Sequence, residues 1–335
     1  MTTPAQLPIG VVLPTRNSRA LLPRHLESIR YWRDLVSEIV VVDSESNDGT
    51  VEFLREQLPS ARARFLSHSP GLYESWNFGI GQLRAEFAYI SSIGDTITPA
   101  TLARLVEIAR ERNADAVVSL PRFTGPGARR MRGRWPLEQF IARRGLREPY
   151  SLSGLEAFVW SAVHVPAGLL GSSASNLYRT RFLQEHPFPT CYRRVGDTGW
   201  AIENAFQMRL IVAPGLESEF LVHPPADAPT SEPVGQTRRR LHTKAREIFE
   251  EQLKSAGASA RVDELAGPLG NFWQATDRLL DANARYQELR RERGAALLNP
   301  VVWRARWHRF LLRRQAARCR ETILRKVDSL ACQTP

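Results

Sequence analysis

Two aspartates far apart in the chain, Asp43 and Asp95, each stand just past a short apolar run, Glu38-Ile-Val-Val-Val42 and Phe87-Ala-Tyr-Ile-Ser-Ser92. If both runs are parallel strands, the two carboxylates share one lip of a sheet, where open α/β sheets receive their ligands. Acceptor-only oxygens at such a lip suit donor groups or a hard cation. A third aspartate, Asp197 in Gly196-Asp-Thr-Gly-Trp200, precedes an amphipathic run from Ala201 to Leu210 and would cap that helix well. His223 closes the apolar run Glu219-Phe-Leu-Val-His223, and a solitary His there is structural unless other ligands join it.

The elements that position these residues follow from periodicity. Ile9-Gly-Val-Val-Leu13 is a continuous apolar run, as expected of a strand covered on both faces, and Pro14-Thr-Arg-Asn17 breaks it. Ser18 reads as the N-cap of a helix whose buried stripe is Leu22, Leu26 and Ile29. Glu38–Val42 is the second parallel strand, and Ser44-Glu-Ser-Asn-Asp-Gly-Thr50 turns into a short helix ending at Pro59. A brief strand over Arg64–Leu66 and a helix over Leu72–Leu83 come next. That helix contains Gly79 and Gly81, each costing about 1 kcal/mol relative to Ala, which points to close packing or a nearby ligand. Phe87–Ser92 is a central strand and Ile93-Gly-Asp-Thr96 its C-terminal loop. Thr98-Pro99 starts a helix with the stripe Leu102, Leu105, Val106 and Ala109, and Ala116–Leu120 is the next strand.

At 335 residues with 43% apolar content, the chain can bury a large core in one domain or two. No segment approaches the roughly 18 consecutive apolar residues of a membrane span, and the polar N-terminus lacks a signal peptide's pattern, so the expected location is cytoplasmic. Cys191, Cys319 and Cys332 are too few and too scattered for a disulfide framework or a zinc site. The charge is uneven. Residues 236–335 carry 21 Lys/Arg against 11 Asp/Glu, which accounts for almost all of the net +11.

Four ordered blocks give the fold a more specific reading. Val11-Val-Leu-Pro-Thr-Arg-Asn17, Glu38 to Thr50, Gly71-Leu-Tyr-Glu-Ser-Trp-Asn-Phe-Gly-Ile80 and Ala88 to Pro99 together resemble family-2 glycosyltransferases, strongly over residues 8–110 and weakly over 170–225. The resemblance implies an α/β fold of GT-A type, a Rossmann-like, mainly parallel sheet flanked by helices. It also implies a nucleotide-sugar donor, a divalent metal and inverting transfer to an acceptor hydroxyl. On this pattern the glycosyltransferase domain spans residues 1–233, with a donor half of about 1–120 and an acceptor half of about 121–233. Pro14, Thr15, Arg16 and Asn17 would lie along base and ribose, and Asp43 would hydrogen-bond the base, expected to be uracil. Asn77 and Trp76 have either a donor-side role or a packing role. Asp95 matches the second carboxylate of the family's metal motif, with Mg²⁺ or Mn²⁺ bridging it to the diphosphate of a UDP-sugar, and His223 sits where some relatives place a later metal ligand. A hard cation there would neutralise charge on a diphosphate leaving group. The chain departs from the pattern at Gly94, where many relatives carry another acid. Asp197 resembles the family's acidic residue at the start of a helix beside the acceptor and would be the catalytic base, a role that needs hydrogen-bond reach of the acceptor hydroxyl. Arg193 and Arg194 could meet phosphate or acceptor charge. Residues 121–170, with an exposed Pro121–Pro136 connection, would shape the acceptor pocket.

Residues 234–335 read as a basic helical C-terminal extension. Arg238–Leu253 is one helix, and a second runs from about Pro268 to Arg293. Its seam of Leu269, Phe272, Thr276, Leu279, Asn283, Tyr286 and Leu289 suits a partner helix within the chain or in a homodimer. After Asn299-Pro300 a third helix presents Trp303, Trp307, Phe310 and Leu311 on one face among arginines. That face is either packed inward or meets an anionic lipid surface, as a peripheral enzyme with a glycan or lipid-linked acceptor at the inner face of the membrane would need. Three functions remain open: a polysaccharide-building glycosyltransferase, a non-catalytic nucleotide-sugar or glycan binder suggested by Gly94, and a nucleic-acid binder suggested only by the basic region. Nucleic acid is not the expected partner.

Overall fold

In the computed structural model, residues 6–58, 62–125, 135–170, 173–222, 234–255, 260–293 and 299–331 are described. Strands β1 (Leu7–Thr15), β2 (Val36–Asp43), β3 (Ala63–Ser67) and β4 (Phe87–Ile90) alternate with helices α1 (Leu22–Ile29), α2 (Thr50–Gln57) and α3 (Leu72–Ile80). β1 pairs in parallel with both β2 and β4, and β2 pairs in parallel with β3. Covered on both faces, these strands are nearly all apolar: Ile9, Val11, Val12, Leu13 and Ile39 to Val42 are at most 1% exposed. α3 lies so close to the sheet that a Cβ on Gly79 would come 2.6 Å from Val12 Cγ1 and 2.9 Å from Val42 Cγ2. Close packing therefore accounts for that glycine.

β1 continues through Pro14 to Thr15 rather than breaking at Pro14. Its pairing with β4 stops at Val12, so Pro14 stands where that side of the strand has no ladder for its missing N–H to disrupt. Nor is Ser18 the N-cap of α1. Its carbonyl accepts the Leu21 and Leu22 N–H groups while its hydroxyl donates to the Arg16 carbonyl, so the helix begins one turn later, at Leu22. Thr98 does cap α4 (Pro99–Glu111), accepting from the Thr101 N–H at 3.1 Å.

The sheet continues with β6 (Ala116–Val118), β8 (Tyr150–Ser151), β9 (Asn176–Arg179) and β10 (Leu210–Val212), in the order β3-β2-β1-β4-β9-β6-β10-β8. β9 runs antiparallel between β4 and β6, and β8 is antiparallel to β10. A small second sheet joins β5 (Thr96–Ile97), β11 (Ser218–Leu221) and β7 (Arg122–Thr124) in the order β5-β11-β7. Between β7 and β9 lie α5 (Pro136–Arg144) and α6 (Gly154–Ala162), and α7 (Thr180–Glu185) follows β9. Glu156 anchors this insertion: it accepts from Arg144, Tyr150 Oη and both the N–H and the hydroxyl of Ser153, all within 3.0 Å, with its side chain 5% exposed.

By internal contacts the chain divides into two units, residues 1–157 with 167–228, and residues 158–166 with 229–335. The second contains α9 (Val234–Lys254), α10 (Ala260–Arg293) and α11 (Pro300–Ala331). α10 starts eight residues before Pro268, which lies inside it. Its partner along the seam is α11 of the same chain. Leu269, Phe272 and Leu289 are buried there, and Leu280 is buried where Leu279 was expected. Among the described residues no helix is long and apolar enough to cross a membrane.

Candidate active site

One lip of the sheet is built by the chain's first two loops, stitched together through side chains. Asn17, with φ +45°, donates its N–H to Ser46 Oγ at 2.8 Å and accepts the Asn47 N–H on its side-chain oxygen at 3.0 Å. The Ser18 N–H meets Thr50 Oγ1 and the Arg19 N–H meets Asp48 Oδ2. Asn tolerates this left-handed backbone, so the segment from Arg16 to Arg19 turns without glycine.

Three buried oxygens stand at neighbouring strand ends of this lip without a partner: Thr15 Oγ1 on β1, Asp43 Oδ1 on β2, and Asp95 Oδ2 in the turn after β4. Thr15 and Asp43 are register partners. Asp43 spends its other oxygen on the Ser46 N–H at 2.9 Å, and Asp95 spends its Oδ1 on the Leu221 N–H at 2.9 Å. Buried polar atoms of native proteins are nearly always paired, so these three oxygens on adjacent strand ends call for a partner that a ligand or water would supply. Burial of Asp95 raises its carboxyl to about 7, against the lowering effect of the Leu221 N–H. A cation or donor at Oδ2 would reverse that shift.

The turn carrying Asp95 is fastened from below by His25, a member of the α1 stripe that is fully buried. Its Nδ1 accepts the Gly94 N–H at 3.3 Å, which leaves Nε2 to donate to Ser91 Oγ at 3.3 Å. Burial lowers His25 to about 4, so the ring is neutral and can accept. Gly94 has φ +100°, and a Cβ there would lie 2.7 Å from Leu221 Cδ2. A side chain at this position would be strained and would crowd Leu221.

The surroundings of Asp197 are aromatic. Asp197 is the second residue of α8 (Gly196–Asn204), not its cap: it accepts the adjacent Thr198 N–H at 2.7 Å, inside the first turn, where the helix dipole favours an anion. The residue is only partly buried, yet the protein around its carboxyl is dense enough to raise it to about 6, opposed by the Thr198 N–H and the Tyr73 hydroxyl. Tyr73 meets Trp76 edge-on, with ring centroids 5.1 Å apart, and lies tilted against Phe188 at 5.6 Å, and its hydroxyl also lies 3.4 Å from the Arg194 carbonyl. Gly196 and Gly199 let these rings approach: Cβ atoms there would fall 2.6 Å from the Tyr73 ring and 2.2 Å from the Tyr192 ring. One turn along α3, Asn77 donates to the Phe188 carbonyl at 2.8 Å and accepts the Phe188 N–H at 3.0 Å. Both ends of its amide are thus taken by the Phe188 backbone, and Trp76 packs on the same Phe188. Asn77 and Trp76 thus both pack against Phe188.

His223 lies outside the described residues, and β11 ends two residues before it. Among the described residues no three His, Cys, Asp or Glu side chains gather as a metal site. Arg193, with φ +52° and ψ −122°, and Arg194 are exposed in the turn before Asp197. Sequence reasoning missed His25 and Tyr73. His25 was legible as the polar member of the spacing Leu22, His25, Leu26, Ile29, whereas nothing local marks Tyr73 as a partner of a residue 124 positions away.

Residues 10–161 match the family model described as glycosyl transferase family 2. This segment belongs to that family. The first 349 residues of S. aureus TarS, crystallised in complex with UDP-GlcNAc, superpose with a TM-score of 0.56 at 18% identity, covering 95% of this chain and 91% of that one. The same TarS segment without that ligand gives 0.54 at 17% identity over the same shares, and the longer S. aureus TarS gives 0.53 at 18%, over 94% of this chain and 55% of that chain. No curated protein matches the chain. The mostly parallel eight-stranded sheet between helices, followed by a helical C-terminal region, is the GT-A fold of family-2 glycosyltransferases.

Proposed function

We propose that the chain transfers a sugar from a nucleotide-sugar donor, with UDP as the nucleotide, to a hydroxyl of a glycan or lipid-linked acceptor, with inversion. The observation that carries this reading is the row of unpartnered oxygens on Thr15, Asp43 and Asp95 at one lip of the sheet. In it, the segment Pro14 to Asn17 lies along base and ribose, held in shape by its bonds to Ser46 and Asn47. Asp43 Oδ1, an acceptor only, takes the imide N–H of uracil. Asp95 Oδ2 and the donor's own diphosphate oxygens would hold a divalent cation, Mg²⁺ or Mn²⁺, which when bound neutralises charge on the leaving group. One protein oxygen with no gathered cluster among the described residues fits a cation that arrives with the nucleotide. His223 remains the further ligand of this reading.

Asp197 takes the proton from the acceptor hydroxyl as that oxygen bonds to the anomeric carbon. The bond between that carbon and the diphosphate oxygen breaks, and its electron pair leaves with the nucleoside diphosphate. A single displacement of this kind inverts the configuration. With its carboxyl at about 6, Asp197 is mostly ionised at neutral pH yet basic enough to share a proton in the transition state. Hydrolysis of UDP-sugars in the presence of Mn²⁺, lost in Asp95→Asn, is the expected result; tight donor binding without turnover toward any acceptor would make the chain a binder instead.

A further inference from the structure

α11 has two apolar faces. One is packed: Val302, Leu312 and Ala316 are buried in the helical unit. At 100° per residue, Trp303, Trp307, Phe310 and Leu311 fall on the opposite side, and they are 57%, 51%, 44% and 47% exposed. The rings form a ladder, Trp303 on Trp307 at 6.0 Å and Trp307 on Phe310 at 5.3 Å. Of the nine exposed large apolar side chains among the described residues, five lie between Val301 and Leu311, so this is a patch and not scatter. Arg304, Arg306, Arg313 and Arg314 border it, all exposed, and no acid occurs between Glu292 and Glu321.

We propose that this face of α11 seats the protein on a bilayer carrying anionic headgroups. Indole and phenyl rings lie at the headgroup boundary, about 5–10 Å into the interface, while flanking arginines meet phosphates. Charge decides between this occupant and a second copy of the chain. Two copies meeting through this face would oppose their arginines with no carboxylate in the segment to pair them, whereas an anionic surface complements every one. The inference stands apart from the sugar-transfer reading, because vesicle binding requires no turnover.

The test is flotation of the full chain with phosphatidylcholine vesicles with and without phosphatidylglycerol. Binding to the anionic vesicles is expected, with tryptophan emission quenched by brominated acyl chains. Trp303→Ala/Trp307→Ala should weaken binding at least about tenfold through lost apolar insertion. Arg304→Gln/Arg306→Gln should weaken it about thirtyfold, from about fivefold per arginine near an anionic surface. These side chains are exposed, and an unchanged circular dichroism spectrum would show that the variants fold. Absence of wild-type binding, equal flotation of the tryptophan variant, or a concentration-dependent dimer lost in that variant would overturn the proposal.

Discussion

Asp95 and Asp197 both titrate above the ordinary carboxyl range because burial disfavours their charge, yet they are held in opposite ways. Asp95 is sealed: 4% exposed, tied by one oxygen to the backbone of β11, its other oxygen facing no donor. Asp197 is only partly buried and lies among rings, with the Tyr73 hydroxyl and the Thr198 N–H already favouring its charged form. The first is a carboxylate that lacks a positive partner; the second can exchange a proton. Similar shifts therefore arise in different surroundings, and the partners separate them where the direction of the shift does not.

Substitutions at and around the two carboxylates test this difference. The largest effect is expected from Asp197→Asn, which should lower kcat about 10²–10⁴-fold while leaving UDP affinity within about twofold. A loss below tenfold would remove the base assignment. Gly94→Asp should destabilise the fold by about 2–4 kcal/mol in denaturant titrations, because φ +100° and the Leu221 contact both oppose a side chain. If it instead folds normally and tightens Mn²⁺ binding, the glycine is not a structural requirement.

Asp95→Asn separates stability from function. Folded Asp95 holds its proton up to about 7 against an ordinary 3.8, so between those values the folded state binds more protons and stability falls as pH rises. The amide can still accept from Leu221 but carries no charge. Metal-free Asp95→Asn should therefore be more stable than wild type at pH 8, by about 1–4 kcal/mol, with the gain vanishing below pH 4. Equal thermal melts at pH 8 would contradict the sealed, unpartnered carboxylate.

The smallest effect concerns the acid limb of the pH–rate profile. Activity should fall as pH drops through about 6, where Asp197 takes up its proton. Tyr73→Phe removes a hydrogen bond that favours the charged form, so the limb should move to higher pH. Movement to lower pH, or none, would show that the hydroxyl does not serve the carboxylate.

The donor lip was the legible part of the chain. Continuous apolar runs announce buried parallel strands, and alternation of strand and helix puts the ends of β2 and β4 on one edge, so Asp43 and Asp95 could be placed from local pattern alone. Pro14 was misread because a breaker's effect depends on which neighbours the strand has, and β4 is too short to reach it. Tyr73, Asn77 and Phe188 form a contact across more than a hundred residues, and no spacing encodes it. The exposed aromatic face of α11 was visible as a pattern, but whether it packed inward depended on which side α10 took.

The central claim is that the unpartnered oxygens of Asp43 and Asp95 hold a nucleoside diphosphate with its cation. Calorimetric titration of UDP, with and without Mn²⁺, into wild type and Asp95→Asn tests it directly. Wild type should bind UDP far more tightly with Mn²⁺ than without, and Asp95→Asn should lose that difference while retaining the weak metal-free binding. Identical Mn²⁺ dependence in the two proteins would contradict it.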